Sequence, residues 1–124
     1  MKVLPLKKNP NGNGYIQCEV HDATHVQLKF PLGFKPLQDR YIPVQLSGSR
    51  ENTYNWSWNG DTEKPTLRPS ILTEFPWGED RTIHRCHSFV NDGKVQFLSD
   101  CSHELAGQTL DLLEVIYGEY KAVR

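Results

Sequence analysis

Three of the chain's five histidines and two of its three cysteines fall in one stretch, IHRCHSFVNDGKVQFLSDCSH, from Ile83 to His103. Thiolates and imidazoles are the donors that zinc takes, at about 2.0–2.3 Å and with a preference for a tetrahedron of four. The sulfurs argue against magnesium or calcium, which want oxygen. The same residues also allow a nucleophilic reading, in which Cys101 is activated by His103 with Asp100 orienting the base, but neighbours along a strand rarely face one another. Packed or hydrogen-bonded side chains with no ligand are the third possibility. Asp100 and Glu104 are the nearby carboxylates able to move a proton or to support metal ligands.

A hairpin is needed to gather these donors. TIHRCHSFV and KVQFLSDCSH read as extended runs joined by Asn91-Asp92-Gly93, a strong turn signal because Asp and Gly accept the dihedrals a tight turn demands. Alternation along a strand puts His84 and Cys86 on one face and His87 on the other, while Cys101 and His103 share a face. A two-residue Asp92-Gly93 loop pairs Asn91 with Lys94 and sets His84 opposite Cys101. A three-residue loop with a glycine bulge shifts the register by one and brings His87 to Cys101 and His103 instead.

A second group lies upstream, in WSWNGDTEKPTLRPSIL. Trp56 and Trp58 share a strand face and are either core residues or a stacking platform. With Arg68 and the hydroxyls of Thr66 and Ser70, such a platform suits a nucleobase and its phosphate or an extended peptide. Ser70 is a conceivable nucleophile, but no G-x-S-x-G context surrounds it.

The scaffold reads as mostly β, α+β at most: a small single domain over residues 1–124, an antiparallel sheet or sandwich with the Cys/His hairpin and one short C-terminal helix. NPNGNG is a turn, and YIQCEVHDATHVQLKF gives one or two strands. Three prolines in FPLGFKPLQDRYIPVQL predict an extended path with edge pairing at most. SGSRENT reads as a loop, and the prolines of KPTLRPSILTEFPWGED flank a short apolar stretch. Leu110, Leu113 and Tyr117 have helical spacing within TLDLLEVIYGEYKAV. Cys18 reads as a small buried apolar residue.

Composition narrows the function classes. The 14 basic and 15 acidic residues nearly cancel, which speaks against nucleic acid as a partner. Nothing approaches a membrane span, and the amino terminus turns polar too early for a signal peptide, so a cytoplasmic protein is expected. Three cysteines suit a reducing compartment.

These blocks, with ELAGQTLDL, resemble the W-x-W-N-G…P-T-x-x-P-S, C-H-x-F-x-x-D-G-x-x-x-F-L-x-D-C-x-H and L-A-G-Q-T-x-x-L motifs of a family of small uncharacterised phage and prophage proteins. Some of its members are labelled "ammonia monooxygenase", which no residue here supports. The resemblance covers about residues 54–113, and its motifs are too long for chance. It implies phage origin and a metal site. Relatives of the family look to be associated with bacterial operons for ubiquitin-like conjugation, with a suspected metal-dependent peptidase role. Position by position, the family's pattern falls on Cys86, His87, Gly93, Asp100, Cys101 and His103. It therefore implies Cys86, His87, Cys101 and His103 as ligands and demotes His84, although a regular strand cannot turn both Cys86 and His87 inward.

The resulting expectation is a phage-encoded zinc-binding module that acts in the host cytoplasm on a host factor or a nucleotide-like ligand and so interferes with host defence. A zinc-dependent peptidase or deconjugase is the alternative, and a virion or assembly component the third. Whether the protein is an enzyme, and its oligomeric state, are left open by the sequence.

Overall fold

The structure is a computed structural model that describes residues 1–47 and 55–115. Nine strands form one sheet: β1 Val3–Lys8, β2 Tyr15–Gln17, β3 His25–Lys29, β4 Asp39–Leu46, β5 Trp56–Trp58, β6 Leu67–Trp77, β7 Thr82–Asn91, β8 Lys94–Phe97 and β9 Thr109–Asp111. Their order is β2-β1-β3-β4-β5-β6-β7-β8-β9, with β4–β5 the single parallel pair among the described residues. Helix among the described residues is limited to α1, Lys35–Gln38, and a 3₁₀ turn at Val20–Asp22. The mostly β expectation holds.

The sheet coils so that its two ends share a core. Val3, Val26 and Leu28 from β1 and β3 lie in one buried cluster with Val90, Val95, Phe97 and Leu112 from the other end. Phe30, just past β3, meets the Phe97 ring edge-on at 5.7 Å. The chain after β9 completes the wrap, as Leu113 N–H donates to the Lys29 carbonyl at 3.0 Å and Val115 N–H to the Met1 carbonyl at 2.7 Å. Buried residues alternate along β7 and β8, whose inward set has to meet another layer, while β1 and β3 bury consecutive residues and so are covered on both faces.

Two expectations need correction. β4 is an internal strand rather than an edge, since it pairs with β3 on one side and β5 on the other. Its Pro43 costs only one donor, and the following Val44 N–H still donates to the Thr24 carbonyl at 2.9 Å. The segment expected to be helical begins as β9, with Leu110 opposite Val95 and Leu112 buried against the core. Sheet pairing outweighs a weak helical pattern there, and positions from 116 onward lie outside the described residues. So does the expected SGSRENT loop, apart from Ser47.

The β6–β7 ribbon is the longest pairing and carries Ser70, Cys86 and His87. Its register shifts between Leu67 and Ile71, where four steps along β6 face the two from Val90 to Ser88 on β7. This bulge holds Pro69 and Ser70, and bulges commonly re-aim a side chain. The Trp56 indole N–H donates to the Ser70 carbonyl at 3.3 Å and pins the bulge from β5.

Candidate active site and metal cluster

The β7–β8 turn is the two-residue form, with Asn91 opposite Lys94, Asp92 at φ 52° and Gly93 at φ 79°. Pairing in β8 stops at Phe97, and the chain then turns back beneath β7, so Cys101 never reaches the position opposite His84. The turn-back is tied to the His87 backbone. The Leu98 N–H donates to the His87 carbonyl at 2.9 Å, the Cys101 thiol donates to the same oxygen at 3.1 Å, and the His87 N–H donates to the Cys101 sulfur at 3.2 Å. One residue on, Ser102 and Arg85 exchange two bonds: Ser102 N–H to the Arg85 carbonyl at 3.0 Å, and Arg85 N–H to Ser102 Oγ at 2.8 Å.

This docking sorts the candidates onto two faces of β7. On the inner face, ligand atoms of Cys86, Cys101 and His103 lie within 4.8 Å of one another. Cys86 is buried, and burial, with the Cys101 sulfur beside it, pushes its thiol up to about 12. Burial lowers the His103 imidazole below its ordinary range, and the buried Nε2 has no hydrogen-bond partner. Two sulfurs and a buried orphaned imidazole nitrogen are a donor set that fits a soft or borderline divalent ion. Nδ1 accepts a long 3.3 Å bond from the Leu105 N–H, so an ion at Nε2 requires the other tautomer and releases that contact.

On the outer face, His87 bridges Ser70 and Asp100. Its Nε2 lies 3.0 Å from Ser70 Oγ, and its Nδ1 lies 3.1 Å and 3.3 Å from the two Asp100 carboxylate oxygens. The His87 side chain keeps 25% of its exposure and Asp100 44%, so the constellation is open to a substrate. Arg85 backs the acid, with its guanidinium 3.0 Å from Glu74 and 4.0 Å from Asp100. Hydroxyl, imidazole and carboxylate in this order are the group types from which a nucleophile, a base and its orienting acid can be built.

His87 is therefore not a companion of the two sulfurs, because Cys86 occupies the inward position and its neighbour points outward. His84 is excluded as well, lying opposite Phe75 on β6 and stacked with Phe34 and Phe75 at 5.2 and 5.9 Å. The nucleotide platform does not form. Trp58 is fully buried in the core, and the Arg68 guanidinium is spent on the Leu67 and Val90 carbonyls and Asn91 Oδ1. Thr66 Oγ1 accepts from the Asp92 N–H at 3.0 Å and serves the hairpin turn. Asp100 faces His87 rather than His103, which leaves the Cys101 nucleophile reading without its acid. Glu104 is exposed and joins neither group. Cys18 is half-buried in the wall of a cavity of about 460 Å³ next to β1 and β2, away from both faces.

Parity turns His87 outward once Cys86 is assigned inward, but only the β6 bulge makes Ser70 the hydroxyl it meets. One family model matches residues 38–98. It is the family described as BubE, bacterial ubiquitination-like system serine protease. The matched span includes Ser70, His87 and Cys86, and stops just short of Asp100, Cys101 and His103. No curated protein and no solved structure matches the chain. No helix among the described residues is long and apolar enough to cross a membrane.

Proposed function

We propose that this protein is a serine peptidase of a ubiquitination-like system, with Ser70 as nucleophile, His87 as general base and acid, and Asp100 as the orienting carboxylate. The observation that carries the reading is the unbroken Ser70–His87–Asp100 relay on an exposed face, and the serine protease description of the matching family supports it. Ser70 Oγ attacks the carbonyl carbon of an amide while His87 Nε2 takes the hydroxyl proton. The same nitrogen returns that proton to the departing amine, and water repeats the sequence on the acyl-enzyme. Asp100, at Nδ1, fixes the tautomer that leaves Nε2 free to accept. The substrate is then a polypeptide joined to, or ending in, a ubiquitin-like modifier.

We also propose zinc as the ion suited to Cys86, Cys101 and His103, in a structural role. When bound, it would supply charge neutralisation and a fixed ligand geometry on the inner face, while Ser70 and His87 face the other side. That separation favours the serine relay over water activated by a metal. A fluorophosphonate probe tests the reading: it should label Ser70 on wild-type protein and give no adduct with Ser70→Ala or His87→Ala. Equal labelling of Ser70→Ala would place the nucleophile elsewhere.

A further inference from the structure

The cluster and the relay are interleaved along the chain. Cys86 precedes His87 on β7, and Cys101 follows Asp100 on the turn-back. Alternation sends Cys86 inward and His87 outward, and on the turn-back Asp100 meets His87 on the outer face while Cys101 joins Cys86 on the inner one. Bringing the two sulfurs together on the inner face therefore fixes the distance between base and acid on the outer face. Without an ion, that distance rests on the bonds of Leu98 and Cys101 to the His87 backbone and on the Ser102–Arg85 exchange, since pairing with β8 has ended at Phe97. His103 anchors the far end of the turn-back, with its ring edge-on to Phe97 at 4.7 Å and its Nε2 buried without a partner.

We infer that a borderline-soft divalent cation held by Cys86, Cys101 and His103 staples the Asp100 turn-back to β7, making these three positioning residues for the His87–Asp100 pair. The ion touches no reacting atom. This rests on the serine peptidase reading and adds to it that a metal chelator inhibits an enzyme whose chemistry uses no metal. The acid sits on a short turn with no strand partner, so its position depends on what grips the turn from below. A displacement of about 1 Å in such a pair is enough for roughly a hundredfold loss of rate.

The experiment uses the full chain, stripped by a chelator under reducing conditions and then reloaded with zinc or cobalt. Bound metal is measured per chain, and thiolate-to-cobalt absorption reports the ligands. Ser70 labelling by a fluorophosphonate and the kcat and KM of ester hydrolysis report the relay, with far-ultraviolet circular dichroism as a fold control. The expected result is about one ion per chain, and a labelling rate and kcat that fall about ten- to a hundredfold on stripping with KM little changed, then return on reloading. His103→Ala should lose the cobalt band and the rate together, and His103→Cys should restore both. Labelling that is unchanged by stripping would overturn the staple and leave the peptidase reading intact. A metal-loaded protein whose Ser70 never labels would remove the peptidase reading, and the staple with it. Protein that binds no ion at all would remove the staple alone.

Discussion

Replacing Asp100 by alanine removes the charge without putting an amide donor at His87 Nδ1, which isolates the electrostatic part of the relay. The carboxylate lies 3.1 Å from His87 Nδ1. At that separation an imidazolium, as formed when His87 takes the Ser70 proton, gains about 1.3 kcal/mol in bulk water and about 5 kcal/mol at an effective dielectric of ~20. Asp100 is 44% exposed, so solvent screening pulls the value to the lower part of that interval, about 1.5–2.5 kcal/mol. With each 1.36 kcal/mol worth tenfold, Asp100→Ala should lower kcat/KM by about 10- to 70-fold. Asparagine should cost more, because its amide can donate to Nδ1 and hold the tautomer that blocks Nε2, the cause of a roughly 10⁴-fold loss in the Ser-His-Asp template. The rate of Ser70 modification by a fluorophosphonate at neutral pH, read by intact mass, measures it directly. A rate within about twofold of wild type would show that Asp100 does not orient the base. A loss above about 10³-fold in a folded variant would show that the site is much better shielded than its exposure implies.

Three further outcomes follow from the fold. Gly93→Ala should destabilise by about 1–3 kcal/mol, because Gly93 sits at φ 79° and a Cβ there would meet the Glu63 carbonyl oxygen at 3.0 Å; a shifted urea midpoint at constant slope checks it. Trp58→Ala should cost about 3–5 kcal/mol in the same assay, since the ring is fully buried and its N–H donates to the Asp61 carbonyl at 3.2 Å; a cost below about 1 kcal/mol would contradict its place in the core. In metal-free protein the Cys86 thiol is pushed from its ordinary 9.0 up to about 12 by burial, so the unfolded chain ionises first. The stability this contributes is complete below pH 9 and is lost as pH rises from 9 through 12. Melting curves across that range should flatten in Cys86→Val relative to wild type, and parallel curves would refute the assignment.

Much of the fold was legible because its signals are local. The Asn91-Asp92-Gly93 turn, the strand before it and the strand after it as far as Phe97 depend on dihedral preferences and alternation within a few residues. Pro43 inside an internal strand and β9 in place of a helix were not legible, because both depend on partners distant in the chain. The parallel partner of β4 and the core against which Leu112 packs override what the local residues prefer.

The candidate site divides along the same line. The sequence by itself determined which chemistry was available and the rule that Cys86 and His87 face opposite sides, since strand parity is a property of the backbone. Tertiary structure alone decided what each face meets. Whether β8 runs on to Cys101 or stops at Phe97 is a matter of pairing and burial. That stop sends His103 beneath the sheet and Asp100 up to His87. The β6 bulge carries Ser70 across to the same imidazole. A serine, a histidine and an aspartate spaced along a chain become a relay only when separate segments are packed within about 3 Å of one another, and long-range packing sets that distance.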